Sequence, residues 1–463
     1  MQQTEPNQTP NWGKEIRATF KLAWPLALAN LLQMLTYAID VIFIARLGDE
    51  ELAASSLAVS WFGLIVWALS AMTGAVAPVI AAELGANERS VRPVRRATRM
   101  ALWLALIVGL IGMAMAALLL EPLMQVTGQQ PDIIILASGY MAVLAFSAVP
   151  MIISNVLRNY VSALGRPYVA TAITGAGIFI NAAANYALIF GNWGFPRLEL
   201  VGAAIATITT SIVVMLAYVA IIRWDKLLHR YRIFANWWRA DWPVFVSIVR
   251  IGVPISLTVI AEASIFGAAA FMMGRFGAAE LAGHTVALQL AALAFQVPFG
   301  VGQAATIRVG YFYGARDKQG IKQAGWVALA MGTGFMAITA LAMLLVPNAL
   351  LSIYVDVHAT RNAALVGFAL QYLTWAAIFQ LADGVQAVSA GALRGLQDTR
   401  VPMWIAIFSY WAPGMSIAIV FGFFTPLAGV GVWIGLATGL FCAAALLTWR
   451  WLLREKLSLT TRR

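Results

Sequence analysis

Three carboxylates stand isolated inside long apolar stretches of this chain: Asp40, Glu262 and Asp383. An ionised carboxylate at the centre of a membrane helix costs about 2.5 to 3.5 kcal/mol, so one that persists there serves to bind a proton, a metal cation or a charged ligand. The remaining acids of the twenty fall in tails, in loops or near the ends of apolar runs. Glu262 lies twelve residues after Arg250 and Asp383 eleven before Arg394. At 1.5 Å of rise per residue both sit about 16 to 18 Å from those ends, whereas Asp40, close to Arg46, sits only about 9 Å from the opposite end of its helix. With Arg158 and Arg394 assigned to loops, no Lys or Arg is expected within the spans to neutralise these acids. Glu262 and Asp383 share one depth, and like charges in a low-dielectric site repel. The pair is therefore a candidate site for a proton, a metal cation or a cationic ligand, and Asp40 a separate candidate.

The elements that must position these acids are transmembrane helices. The chain is 61% hydrophobic and 11% charged over 463 residues, outside the composition of a water-soluble domain. Uninterrupted apolar windows fall near 22–45, 53–82, 97–120, 133–157, 168–191 and 200–222, and again near 246–274, 282–307, 322–347, 362–393, 401–425 and 427–449. These predict an all-α membrane protein of twelve spans. Residues 1–21 read as a cytoplasmic tail, 22–222 as a first lobe of six helices, 223–245 as a cytoplasmic connection, 246–450 as a second lobe of six, and 451–463 as a cytoplasmic tail. The polar first residues lack the order of a cleaved signal, so the first helix is expected to direct insertion and remain.

The formal charge of +11 does not point to nucleic acid, because the basic residues sit in short loops rather than on one soluble face. Sorted into alternate loops, 27 of the 31 Lys and Arg lie on one side, and only Arg46, Arg197, Arg275 and Arg361 on the other. The positive-inside rule then places both termini in the cytoplasm. Cys442 is a lone cysteine in an apolar run, and His229, His284 and His358 are scattered without metal-ligand spacing, which excludes a cysteine cluster and gives no histidine site. No phosphate-binding glycine loop and no nucleophile–base pair stands out, so an enzyme is not expected.

The two halves repeat. At a constant offset of 229 residues Pro25 pairs with Pro254, Arg46 with Arg275, Gly48 with Gly277, and Glu51-Leu52-Ala53 with Glu280-Leu281-Ala282. Later, Leu157-Arg158 before Pro167 matches Leu393-Arg394 before Pro402, with one residue of slippage. Six helices per half return the chain to the side it started from, giving parallel repeats, two lobes and a cleft suited to alternating access. The acids are not duplicated: Glu262 falls on Gln33, Asp40 on Ala269 and Asp383 on Ser147. The scaffold is symmetric while the chemistry is not.

The strings YAIDVIFIARLGDEELAA, IAEASIFGAAAFMMGRFGAAELAGHTVALQ, FGVGQAATIRVG and FQLADGVQAVSAGALRGLQDTRVP closely resemble the multidrug and toxin extrusion family, in its NorM-like branch. The resemblance implies two pseudo-symmetric six-helix bundles, export of organic cation drugs and dyes, inward H+ or Na+ as the coupling ion, no cofactor, a monomer, and a bacterial inner membrane. It implies that Asp40 is the helix 1 acid with Asn181, Asn185 and Thr207 as polar partners, and that Glu262 and Asp383 form the second-lobe cation pair. Phe379 departs from the pattern, standing where a tyrosine is expected beside Asp383. Gln33, Met34, Tyr37 and Gln289 lie near the acids, and Tyr37 and Phe379 are candidate cleft aromatics. A flippase for a lipid-linked sugar shares the fold, but it calls for a cationic cleft where this chain supplies carboxylates.

Overall fold

The computed structural model describes residues 11–461. The readings placed on residues 1–10, and on Arg462 and Arg463, lie outside that range. Among the described residues twelve helices are long and apolar enough to cross a membrane. They are α1 (Trp12–Ile44), α2 (Asp49–Ala86), α3 (Val91–Val126), α4 (Pro131–Ala163), α5 (Pro167–Phe190), α6 (Glu199–Trp224), α7 (Trp242–Phe276), α8 (Ala278–Gly314), α9 (Lys318–Leu345), α10 (Thr360–Gly395), α11 (Arg400–Phe423) and α12 (Gly429–Leu452). Each apolar window of the sequence falls in one helix, but several helices run further: α1 begins ten residues before its window and α8 ends seven after. Hydropathy marks the hydrocarbon layer, whereas backbone hydrogen bonding continues helices into the headgroup zone, where charged side chains are welcome.

Local chemistry explains the ends and the breaks. Pro131 and Pro167 open α4 and α5, positions at which a missing N–H costs nothing. The Asp317 carboxylate caps α9 by accepting from the Gly320 N–H at 2.9 Å. Within α11 one π-helical turn, Tyr410–Gly414, surrounds Pro413. A proline removes an intrahelical donor, and π-turns of this kind recur at functional positions.

By contacts the chain divides into two compact units, one of residues Ala29–Ser256 and one of residues up to Leu28 together with those from Leu257 onward. The divisions fall within α1 and α7, just after the repeat-related Pro25 and Pro254.

In the first unit, Asn155 of α4 donates to the Ser70 carbonyl at 2.7 Å and reaches the Thr73 hydroxyl at 3.2 Å, tying α4 to α2. The mixed-charge connection after α6 is ordered. Asp225 caps a short helix, Lys226–His229, by accepting from the Leu227 and Leu228 N–H groups. Tyr160 donates to the Leu228 carbonyl at 2.7 Å, Arg95 to the Tyr231 carbonyl at 2.8 Å, and Trp103 to the Trp237 carbonyl at 3.1 Å. Arg96 pairs with Asp241 at the end of the segment.

In the second unit, α8 and α10 approach at small residues. A Cβ on Gly391 would lie 2.3 Å from the Gly302 carbonyl oxygen, so only glycine fits there. Thr306 bridges the two helices by donating to the Gly391 carbonyl at 2.8 Å. Small-residue contact with hydroxyl bridging is how helices associate where lipid removes the hydrophobic drive. The start of α1 docks through the Glu15–Arg308 ion pair, with Thr19 donating to Glu15 at 3.1 Å. An aromatic stack of Tyr372, Trp433 and Phe379 fills the centre of this core, with ring centroids 5.8 and 5.5 Å apart. Large exposed side chains such as Phe179, Phe271 and Leu118, 70 to 80% exposed, supply the apolar outer surface that a bilayer demands.

Candidate functional site

In the first unit the site forms around Asp40. The residues Asn30, Gln33, Tyr37 and Asp40 recur at spacings of three, four and three, so they share one face of α1. On α5, Asn181 and Asn185 are one turn apart and fully buried. Asn185 donates from Nδ2 to Asp40 Oδ1 at 2.6 Å and to Asn181 Oδ1 at 3.2 Å. Asn181 lies beside the same carboxylate. Tyr37 is near both Gln33 and Asp40, and Tyr140 of α4 is near Asp40. Thr207 is directed elsewhere, donating to the Ala203 carbonyl of its own helix at 3.1 Å. Gln33 turns to Arg158, which donates to Gln33 Oε1 at 3.4 Å and to Asn30 Oδ1.

In the second unit Glu262 of α7 and Asp383 of α10 come within electrostatic reach of each other. Asp383 lies on a buried face that carries Tyr372, Ala376, Phe379, Asp383, Gln386 and Ala390 at alternating spacings of four and three. It is 6% exposed, and its Oδ1 has no hydrogen-bond partner. Gln386 Oε1, one turn further along α10, is likewise buried without a partner, and the buried hydroxyl of Tyr410 from the π-turn of α11 has the Gln386 side chain as its polar neighbour, short of a well-formed hydrogen bond. Tyr410 is within electrostatic reach of both acids. Orphaned buried oxygens are costly unless something else completes them, and this collection of carboxylate, amide and phenolic oxygens suits a proton or a small hard cation. Among the described residues no group of three or more His, Cys, Asp and Glu could hold a metal, so any cation here would depend on neutral oxygens as well as the two acids.

Two expectations change. The spans do contain arginines: Arg394 sits in the last turn of α10, half-buried and within electrostatic reach of Glu262, and Arg158 sits inside α4. Counting apolar windows had placed both in loops, because a long side chain near a helix end can turn its guanidinium back along the helix. Although Phe379 carries no phenol, that of Tyr410 lies within electrostatic reach of both acids. Phe379 itself is 1% exposed and stacked against Trp433. Tyr37 is 39% exposed, and Gln289 is exposed with no hydrogen bond to either acid among the described residues. Tyr410 and Gln386 escaped the sequence reading. Gln386, three residues after Asp383, was within reach of helical spacing, and Pro413 inside an apolar run was the signal for a distorted turn.

Twelve apolar helices carrying ionisable side chains in two separate polar clusters define a multi-pass membrane transporter. The MatE family model matches this chain twice, over residues 25–187 and 254–424, the two stretches opening at the same prolines that open the repeat. The chain belongs to the MatE family, and it is a transporter rather than an enzyme. It is 41% identical over 440 residues to the probable multidrug resistance protein NorM of Brucella suis biovar 1, covering 95% of this chain and 93% of that one. It is 40% identical to the probable multidrug resistance protein NorM of Mesorhizobium japonicum, with 96% of each chain covered. Among solved structures, an outward-facing multidrug resistance MATE family transporter of the MOP superfamily superposes with a TM-score of 0.85 at 21% identity, covering 99% of this chain and all of that one. The eukaryotic MATE transporter AtDTX14 superposes with a TM-score of 0.84 at 16% identity, covering 97 and 98%.

Proposed function

We propose that the protein is a secondary active multidrug exporter of a bacterial inner membrane, moving amphipathic organic cations outward against inward H+ or Na+ by alternating access. In this reading it works as a monomer with both termini in the cytoplasm, an orientation supported by the 27-to-4 division of its basic residues. The observation that carries the reading is the second-unit cluster, where Asp383 Oδ1 and Gln386 Oε1 are buried without partners, and the Tyr410 hydroxyl without a well-formed hydrogen bond, near Glu262. Counted in their ionised forms, two carboxylates against one neighbouring guanidinium, that of Arg394, carry one negative charge in excess. A single monovalent cation balances it, whether proton, sodium or the ammonium of a drug, so the three compete for one vacancy of charge. Exchange of one such ion for one monovalent cationic drug moves no net charge, so the concentration gradient of the ion, about 1.4 kcal/mol per tenfold difference, drives release of the drug. Asp40, held by two asparagines with no base among its partners, is a second cation-binding position.

The test is ethidium efflux from proteoliposomes under separately imposed sodium and pH gradients. Efflux driven by either gradient supports antiport and names the ion. Transport indifferent to both gradients would contradict it.

A further inference from the structure

The repeat-related arginines Arg158 and Arg394 both reach the corresponding position on the first helix of their own half, Gln33 for Arg158 and Glu262 for Arg394. The partners differ in charge. Arg394 faces an acid, whereas Arg158 donates to the neutral oxygens of Gln33 and Asn30 with the Tyr218 phenol nearby, and no carboxylate lies within ion-pair distance of it among the described residues. Asn30 is 6% exposed and its Nδ2 donor has no partner. A guanidinium has five N–H donors in a planar fork, and two contacts leave several free. A half-buried cation and an orphaned amide donor side by side lack one thing, an anionic acceptor.

The same face of α1 leads from this cluster to Asp40. Gln33 and Asn30 precede Asp40 by seven and ten residues, which is about 10 to 15 Å along the helix. Tyr37, 39% exposed, lies between. The face is positive at one end and negative at the other, with an aromatic ring in the middle.

We propose that Arg158, with the Asn30 amide, is an anion subsite that accepts the carboxylate of zwitterionic substrates whose cationic group is held at Asp40. This inference rests on the reading of Asp40 as a cation-binding position. It assigns the first unit a selectivity that the second lacks, because there the equivalent arginine already has Glu262 within electrostatic reach. Planar fork geometry matches carboxylate bidentately, so lysine at this position is an imperfect substitute.

The experiment uses a matched pair of dyes, rhodamine 110, a zwitterion with a free carboxylate, and rhodamine 123, its cationic methyl ester. Affinities of both are measured on the purified full-length protein in lipid-depleted detergent. Arg158→Gln is expected to weaken rhodamine 110 about tenfold or more relative to rhodamine 123, the scale of a lost charge-assisted hydrogen bond, and Arg158→Lys, which keeps the charge and protects the fold, to shift the ratio by a smaller factor in the same direction. Asp40→Asn is expected to weaken both dyes. An unchanged ratio in both Arg158 variants, with Asp40→Asn still weakening both dyes, overturns the anion subsite and leaves the cation site standing. Loss of bound phosphatidylglycerol on Arg158→Gln in native mass spectrometry, with the dye ratio unchanged, assigns the arginine to a lipid headgroup and equally overturns the proposal. If Asp40→Asn affects neither dye, it is the Asp40 reading itself that fails.

Discussion

Asn185 donates to Asp40 across 2.6 Å, joining residues 145 apart in sequence by a hydrogen bond to a charged acceptor inside the membrane span. Such a bond contributes about 1.5 to 3 kcal/mol, and its donor is fully buried. Asp40→Asn keeps the shape and removes the charge, so it is expected to abolish drug efflux while the protein still inserts. Asn185→Ala should lower drug affinity about 10-fold or more. Resistance assays with quantified membrane expression check both, and wild-type resistance from Asp40→Asn would reduce that acid to a packing role.

The Tyr410 hydroxyl is buried beside two acids and makes no well-formed hydrogen bond, with the Gln386 side chain as its polar neighbour. Removing an unsatisfied polar atom costs the fold little, whereas removing a ligand oxygen weakens an ion site. Tyr410→Phe is therefore expected to leave the thermal midpoint unchanged or slightly raised while weakening the dependence of drug affinity on the coupling ion. A large drop in thermal midpoint together with unaltered ion dependence would assign the hydroxyl to structure alone.

The acids and the helices were legible because an apolar window makes any carboxylate within it conspicuous, and the repeat exposed Glu262 as having no acid at its counterpart Gln33. The rest depended on three-dimensional facts without a one-dimensional trace. Tyr410 enters the site by way of a π-turn around Pro413, which rotates the register of α11 away from simple helical spacing. Arg394 and Arg158 were visible as landmarks of the repeat, but the first-helix residue that each guanidinium approaches is set by packing. Thr207 lies on the helix expected of it, yet it satisfies its own backbone instead of Asp40. Helical spacing specifies a face; which neighbour a hydroxyl on that face selects is decided by packing.

Asp241, just before α7, has its carboxyl held below the usual carboxylate range by the Arg96 guanidinium near the start of α3. A depressed value means the pair stabilises the fold above about pH 4, the unfolded value, and the contribution is lost as pH falls through the folded one. Arg96 is half-exposed, which limits the effect to about 0.2 to 1 kcal/mol. Asp241→Asn is expected to lower the thermal midpoint by about 1 to 3 °C at neutral pH, and the difference from wild type should close in strong acid. A difference that persists there would show that the loss is not electrostatic.

Orientation is testable by labelling single cysteines in intact cells with a reagent that does not cross membranes. Positions 48, 197 and 356 are expected to react, and 92, 232 and 318 to be protected. The reverse pattern would invert the topology.

The most direct measurement is drug affinity of the purified protein as pH is lowered from about 8 to about 5, and separately as sodium is raised, in wild type and in the Glu262→Gln, Asp383→Asn double variant. If coupling ion and drug compete for the same uncompensated charge, each must weaken the other, since linkage is reciprocal. Wild-type affinity is expected to fall with acid or with sodium, and the double variant to lose that dependence. Full ion sensitivity in the double variant would contradict the assignment and transfer coupling to Asp40 and its asparagines.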